Sequence, residues 1–373
     1  MNDAFYKTLV LLAMIGLGLV LKFKFNSKAK LDGIKEIILS VALPSTIFIA
    51  LMKIDLESSL LLIPVFTIIF NFIVYFLSPW ALKVSGISPN SSEGRTLILL
   101  MPSLAPGLSC FPFIAEFLGE KSLALAAMGD VGNKFFVLIF LYIIAMNMFL
   151  KNTESKETNA KSKIMSLLKS LIQEPINIVL VLAIALLSFG LKFETLPMIV
   201  QSVFDKTSAI MTPLILIFVG LAVNLKTANK TTVLSLLLFR AGLSLVLSAL
   251  VIYLTGISDK MMVLLAVVLP LSSISFWPFA HISLFNAKEE QLEIIKNKQT
   301  FNVELAVMVL AMSLPFSSGL ILAILSVGDY FVDLTHLLVL GVSLVAVGIV
   351  PLAIKRRFSN ISKSSVYSIE RSE

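Results

Sequence analysis

Three groups of residues in this sequence combine chemistry-bearing types with a telling spacing. The first is Gly-Asp-Val-Gly-Asn-Lys, residues 129–134, set inside an apolar run. Asp130 and Lys134 stand four apart, so on a helix they share one face and can pair. The pair is either a neutralised structural bridge, or Asp130 is a proton or cation site with Lys134 as its internal counter-charge. Asn133 adds an amide beside them. The second group is two Pro- and Ser-bearing stretches, LLMPSLAPGLSCFPFIAEF (99–117) and VVLPLSSISFWPFAHISLF (267–285). A proline removes a backbone donor and collides with the preceding turn, so Pro102, Pro106, Pro112 and Pro270 are expected to kink or break their helices. Free N–H groups at a half-helix N-terminus favour an anion, and opposing carbonyls can hold a cation. Ser103, Ser109, Ser272, Ser273 and Ser275 add hydroxyl ligands. The third is Arg240, alone in LLLFRAGLS. It is the cation best placed to meet an anionic substrate, or else it serves Asp130, Glu304 or a carbonyl in the bundle.

Asn302 and Glu304 open a later apolar run much as Asn133 and Lys134 stand in theirs, and complete the candidate coupling set. Glu304 either belongs to that set or snorkels to the membrane surface. Other chemistries are excluded by what is missing. Cys110 is the single cysteine, so neither a disulfide framework nor a metal cluster is expected. His281 and His336 lie far apart, and a buried neutral imidazole is the reading for His281. No H-E-x-x-H motif and no nucleophile–base set is present, so no enzyme is expected. With no phosphate-binding loop, ATP-driven transport is not expected either, and no cofactor is called for beyond a coupling proton or Na+.

The elements that must carry these residues follow from composition. Of 373 residues, 57% are apolar and 14% charged, and the mean hydropathy is +0.96. A soluble domain sits near 45–50% apolar and about 25% charged, so an ordinary globular protein is excluded. Apolar runs of about 18–25 residues suit helical membrane spans rather than β-barrel strands. Spans are expected over 5–21, 35–52, 60–82, 96–118, 122–150, 174–193, 198–224, 231–255, 261–285, 301–326 and 334–354. The first reads as a span and not as a cleaved leader. With the N-terminus outside, most of the 30 Lys and Arg residues fall in loops on the cytoplasmic side, so the C-terminus is cytoplasmic. That bias also accounts for the net charge of +7 without a nucleic-acid partner. The partners expected are the lipid bilayer and a small organic anion, with a homodimer left open. The Lys-heavy basic set fits the inner membrane of a bacterium.

The polar stretch 151–170, rich in Lys, Ser, Thr and Asn, reads as a plain flexible linker dividing the chain into similar halves. LPSTIFIALMKIDL (43–56) and TPLILIFVGLAVNL (212–225) align without gaps, with Asp55 opposite Asn224. Pro102 and Pro270, and Asn133 and Asn302, repeat at nearly the same offset of 168–169 residues. Five spans per copy force opposite orientations. The expected fold is therefore an all-α polytopic membrane protein with a 5+5 inverted-repeat transporter core and Pro-broken crossing helices at spans four and nine. Its units are a first repeat at 1–150, a cytoplasmic linker at 151–172, a second repeat at 173–326, an extra span at 327–355 and a tail at 356–373. Paired broken helices in the two halves of such a fold point to the substrate site.

These motifs resemble the auxin efflux carrier family: the LP-x(3)-F-x(2)-L pattern of span two, the fourth span running into FPFIAEFLGEKSLALAAMGDVGN, and EPINIVLVLAIAL (174–186). TPLILIFVGLAVNL and VVLPLSSISFWPFAHISLF resemble it too, so that the likeness runs over residues 1–326. It implies helices crossing at Pro102 or Pro112 and Pro270, with the following serines near substrate, and export or exchange of organic anions across the plasma membrane. The fourth span departs from the family by lacking an Asn before its G-x-P step, reading APGLSCFP with Ala105 and Cys110, and the eleventh span is also unusual. The bile acid:sodium symporter family is similar in architecture and implies sodium coupling as the alternative. A sensor or scaffold on the same fold is a further alternative.

Overall fold

The computed structural model describes residues 3–25, 27–53, 62–153, 160–222, 230–294 and 298–349. Asp55, Asn224 and the tail 356–373 lie outside these residues. Among the described residues the structure is helical, apart from one isolated antiparallel bridge between Ala105 and Ser273. The first half comprises α1 (Asp3–Leu21), α2 (Lys28–Ile37), α3 (Leu43–Met52), α4 (Ile63–Val84), α5 (Ser92–Leu100), α6 (Pro106–Ser109), α7 (Phe111–Phe117), α8 (Gly119–Phe135) and α9 (Leu141–Thr153). The second comprises α10 (Ala160–Gln173), α11 (Pro175–Ser188), α12 (Met198–Ala209), α13 (Met211–Ala222), α14 (Lys230–Thr255), α15 (Lys260–Val268), α16 (Phe276–Gln291) and α17 (Val303–Ser326). A last helix, α18 (Leu334–Ile349), follows. Single π-turns at Ile38–Ala42 and Phe136–Phe140 join α2 to α3 and α8 to α9.

Among the described residues, six helical runs are long and apolar enough to cross a membrane, by length and composition: Ala29–Met52, Ile63–Val84, Gly119–Thr153, Met198–Ala222, Thr231–Thr255 and Val303–Ser326. Their outer faces agree. Phe76 and Trp80 on α4 and Met198, Ile199 and Val203 on α12 are all more than half exposed. A monomer in water does not carry apolar faces of that extent, whereas lipid accepts them.

The stretch after α9 departs from the flexible linker expected of its composition. Residues 160–173 form helix α10, which lies beside the second π-turn and whose Ile164 and Leu168 pack against buried apolar side chains. Lys and Ser content suggested a loop, but apolar residues four apart make one sticky face, and burying that face fixes the helix.

Among the described residues the interior divides into two apolar clusters, and five stretches of chain pass from one to the other at a polar step. On α8 the first cluster ends at Met128 and the second begins at Phe136, with Asp130, Asn133 and Lys134 between. On α14 Phe239 belongs to the second cluster and Ala241 to the first, with Arg240 between. Ser103 and Ser109 separate Met101 from Cys110, Ser272 and Ser273 separate Leu271 from Ile274, and Ser313, Ser317 and Ser318 separate Val309 from Ile321. The result is a buried polar seam between two apolar slabs. Close approach helps to hold it. A Cβ on Gly132 would lie 2.0 Å from the Pro64 carbonyl oxygen, so only glycine lets α8 meet α4 here. A Cβ on Gly242 would lie 2.5 Å from the Gly341 oxygen, where α18 rests on α14 beside Arg240.

Candidate functional site

Two helical runs are interrupted within the seam. Helix α5 stops at Leu100 and α6 begins at Pro106, while α15 gives way to a 3-10 turn at Leu269–Leu271 and α16 begins after Ser275. The non-helical segments cross. Ala105 N donates to Ser273 O at 2.7 Å, Ser273 N to Ser109 Oγ at 2.8 Å, and Ser275 N to Ser103 Oγ at 3.2 Å. Backbone groups that no helix satisfies are thus paired at the crossing, as burial requires.

The carbonyls left over are taken by Arg240. Its Nε donates to Met101 O at 2.9 Å, Nη1 to Ser272 O at 2.9 Å and Nη2 to Ser103 O at 2.8 Å. The guanidinium therefore caps the C-terminal ends of two half-helices at once, where a positive charge also meets their dipoles. Of the roles open to Arg240, the geometry shows the carbonyl partner.

Asn133 performs a similar service from α8. Its Oδ1 accepts Leu104 N at 3.1 Å and its Nδ2 donates to Leu104 O at 2.8 Å, so the side-chain amide completes the broken backbone as a neighbouring strand would. The same amide donates to Asp130 Oδ1 at 2.9 Å, and Asn71 of α4 donates to Asn133 Oδ1 at 3.1 Å. Asp130 Oδ2 lies 3.2 Å from Lys134 Nζ, and Glu174, the residue before α11, places Oε1 3.0 Å from the same ammonium. One lysine thus sits between two carboxylates.

This group opens on a cavity of about 340 Å³. Asp130, Asn133, Lys134 and Glu174 form its polar wall, and Ala105, Pro106, Ser273 and Ser275 bring the crossing to its edge. Leu104, Phe218, Trp277 and Leu310 are among its apolar residues. Lys35 reaches the rim, its Nζ 5.1 Å from the centre of the Phe276 ring. The volume lies within the ordinary range for small-molecule sites. A second cavity, of about 460 Å³, is lined by Lys7, Thr46, Glu116, Glu120 and Thr212, among others. Along the four stretches of chain that reach both cavities, Leu43, Phe111, Ala126 and Ile215 lie between the two and are fully buried.

The expected site residues therefore separate. Asp130, Asn133, Lys134, Pro106, Ser273 and Ser275 line the first cavity. Ser103, Ser109, Ser272 and Arg240 build the crossing behind it, while Pro102 is buried in the first interruption, Pro112 opens α7 and Pro270 lies in the 3-10 turn. Asn302 and Glu304 are elsewhere. Asn302 caps α17, accepting Leu305 N at 2.9 Å, and Glu304 is exposed in that helix's first turn. A helix start, with donors to cap and a dipole to meet, accounts for both types. His281 is buried with Nε2 2.9 Å from Val137 O.

Sequence reasoning missed Glu174, Asn71 and Lys35. Glu174 stands before a proline at the start of an apolar run, where an acidic residue needs no explanation beyond the helix dipole. Asn71 was the better signal, a lone amide within IPVFTIIFNFIVYFL. No protein-family model matches this chain, and no curated protein matches it.

Proposed function

We propose that the protein is a secondary transporter that moves a small organic anion, such as a carboxylate, across the plasma membrane by alternating access. One observation carries the reading: an ammonium between two carboxylates faces a cavity beside two crossing, interrupted helices, within a bundle of apolar helices. Ionisable groups at membrane depth cost at least about 2.5–3.5 kcal/mol each on insertion scales, and they mark substrate and ion paths. Two cavities separated by a fully buried apolar barrier are what alternating access needs.

The 5+5 inverted repeat belongs to the same proposal. Ala105 and Ser273, which pair at the crossing, stand 168 residues apart, as do Pro102 and Pro270. Equivalent residues meet only near the axis that relates two copies, so this pairing supports a two-fold axis through the crossing. The N-terminus then lies outside and the C-terminus in the cytoplasm, and α18 is the extra span. Asp130 is the proton or cation site, with Asn133 fixing its geometry. The likeness of residues 1–326 to auxin efflux carriers supports an organic anion.

Thermal unfolding of the purified protein, with a panel of organic acids at two pH values and with or without sodium, tests this. Stabilisation by a carboxylate that Lys134→Gln abolishes is the expected result. Stabilisation by sodium alone would favour the sodium-coupled symporter. No shift with any anion or cation would overturn transport in favour of a sensor or scaffold.

A further inference from the structure

We propose that Glu174 is a tethered carboxylate held in the substrate's place: its Oε1 occupies the position at Lys134 Nζ that the carboxylate of a small organic acid takes, and the acid binds by displacing it. This rests on the transporter reading and adds a built-in competitor to it.

The two carboxylates at Lys134 are held differently. Asp130 is fixed, since its Oδ1 takes the Asn133 amide, which is itself tied to Leu104 and Asn71. Glu174 is fixed on one side only. Its Oε2 is buried and has no hydrogen-bond partner among the described residues, a costly state for a carboxylate oxygen. Of the two partners, Glu174 is the one that leaves at lower cost.

Its delivery is also separable. Glu174 lies between α10 and α11, and Pro175 behind it keeps its backbone extended, at φ −67° and ψ 131°. Helix α11 packs chiefly on α3 and touches α8 only slightly, so the ion pair can part without unpacking a core. Once it parts, Lys134 presents its ammonium to a cavity of about 340 Å³. The incoming acid restores the charge balance that Glu174 leaves. A substrate then binds only to the fraction of molecules in which Glu174 has withdrawn, and its apparent affinity is reduced by that fraction.

Binding of radiolabelled succinate and of benzoate to the purified full-length protein tests this. One probe carries two carboxylates, the other an apolar body. If Glu174 holds Lys134 in about nine molecules of ten, Glu174→Gln lowers the apparent dissociation constant roughly tenfold. Glu174→Asp, one methylene shorter, shifts it in the same direction and covers the case in which the glutamine variant does not fold. Lys134→Gln abolishes binding. Equal or weaker binding by both Glu174 variants than by the wild type overturns the competitor while leaving the transporter reading in place. Failure of wild type and variants alike to bind either probe or any acid of the wider panel overturns both.

Discussion

Replacing Arg240 by Met removes three hydrogen bonds at once, to Met101 O, Ser103 O and Ser272 O. Bonds to a charged donor contribute about 1.5–3 kcal/mol each, so the gross loss is roughly 4.5–9 kcal/mol. Against this, the variant no longer buries a cation, whose desolvation costs several kcal/mol. Interhelical polar contacts in one membrane protein average only about 0.6 kcal/mol, because there the unfolded helices find other partners. The three carbonyls here lie where helical bonding stops, so three such contacts, about 2 kcal/mol, set a floor. Three buried carbonyls left without a partner cost about 1–3 kcal/mol each, and once the relieved desolvation of the cation is set against them we expect a net loss of roughly 3–5 kcal/mol. At roughly 2 °C per kcal/mol for a chain of this size, Tm falls by about 6–10 °C. Cys110 supplies the assay. It is the single cysteine in the chain, it is fully buried, and it lies between α6 and α7 with Sγ 3.5 Å from Val268 O. A fluorogenic maleimide therefore reports opening of the crossing itself. Arg240→Lys reaches fewer of the three carbonyls and should lose about half as much. If Arg240→Met melts within about 1 °C of wild type, the guanidinium does not hold the two half-helices together and the capping account is wrong.

Three further outcomes follow from the same geometry. Gly132→Ala drives a methyl into the Pro64 carbonyl and should cost about 1–3 kcal/mol in thermal unfolding, whereas Gly33→Ala, with open space around it, should be neutral or stabilising by up to about 1 kcal/mol. Asn133→Ala leaves both backbone groups of Leu104 without their partner and should cost about 2–4 kcal/mol, with carboxylate binding lost as well; wild-type binding in the variant would remove Asn133 from the site. Asp333, before α18, has its carboxyl held below the ordinary aspartate range by the Thr335 backbone N–H. The depressed value means that its stabilisation is present above about pH 3.9 and is lost as pH falls through the lower, folded value. Hydrogen exchange in the first turn of α18 should therefore differ between wild type and Asp333→Ala at neutral pH, and the difference should close below that window.

Apolar runs of membrane-crossing length can be recognised without knowledge of what they touch, which is why the helical class and the six long runs were legible in advance. The same holds for polar residues stranded within those runs. Asp130, Asn133, Lys134 and Arg240 stood out because each interrupts a pattern that a bilayer enforces, and all four are buried in the seam. Their partners were not legible. Arg240 had carboxylates and carbonyls to choose from, and the selection depends on where α5 and α15 stop, which is a matter of three-dimensional crossing. Helix α10 was hidden by its composition, since lysines and serines outweigh the two apolar positions that bind it to the bundle.

Glu174 was hidden for a more general reason. An acidic residue before a proline at a helix start satisfies a local rule, and a residue with a local explanation attracts no search for a distant one. Its relation to Lys134 spans forty positions and three helices, with no periodicity to announce it. The local rule also fails to describe what Glu174 does here, because its side chain turns away from the α11 amides that an N-terminal cap would serve and reaches Lys134 instead. An ion pair reaching across to α8 gives up the favourable meeting of a carboxylate with a helix N-terminus, worth about 0.3–1 kcal/mol, and leaves a buried oxygen without a hydrogen-bond partner among the described residues. A carboxylate placed for stability alone would have both oxygens paired, whereas one that must be able to leave is held, as Glu174 is, through a single oxygen.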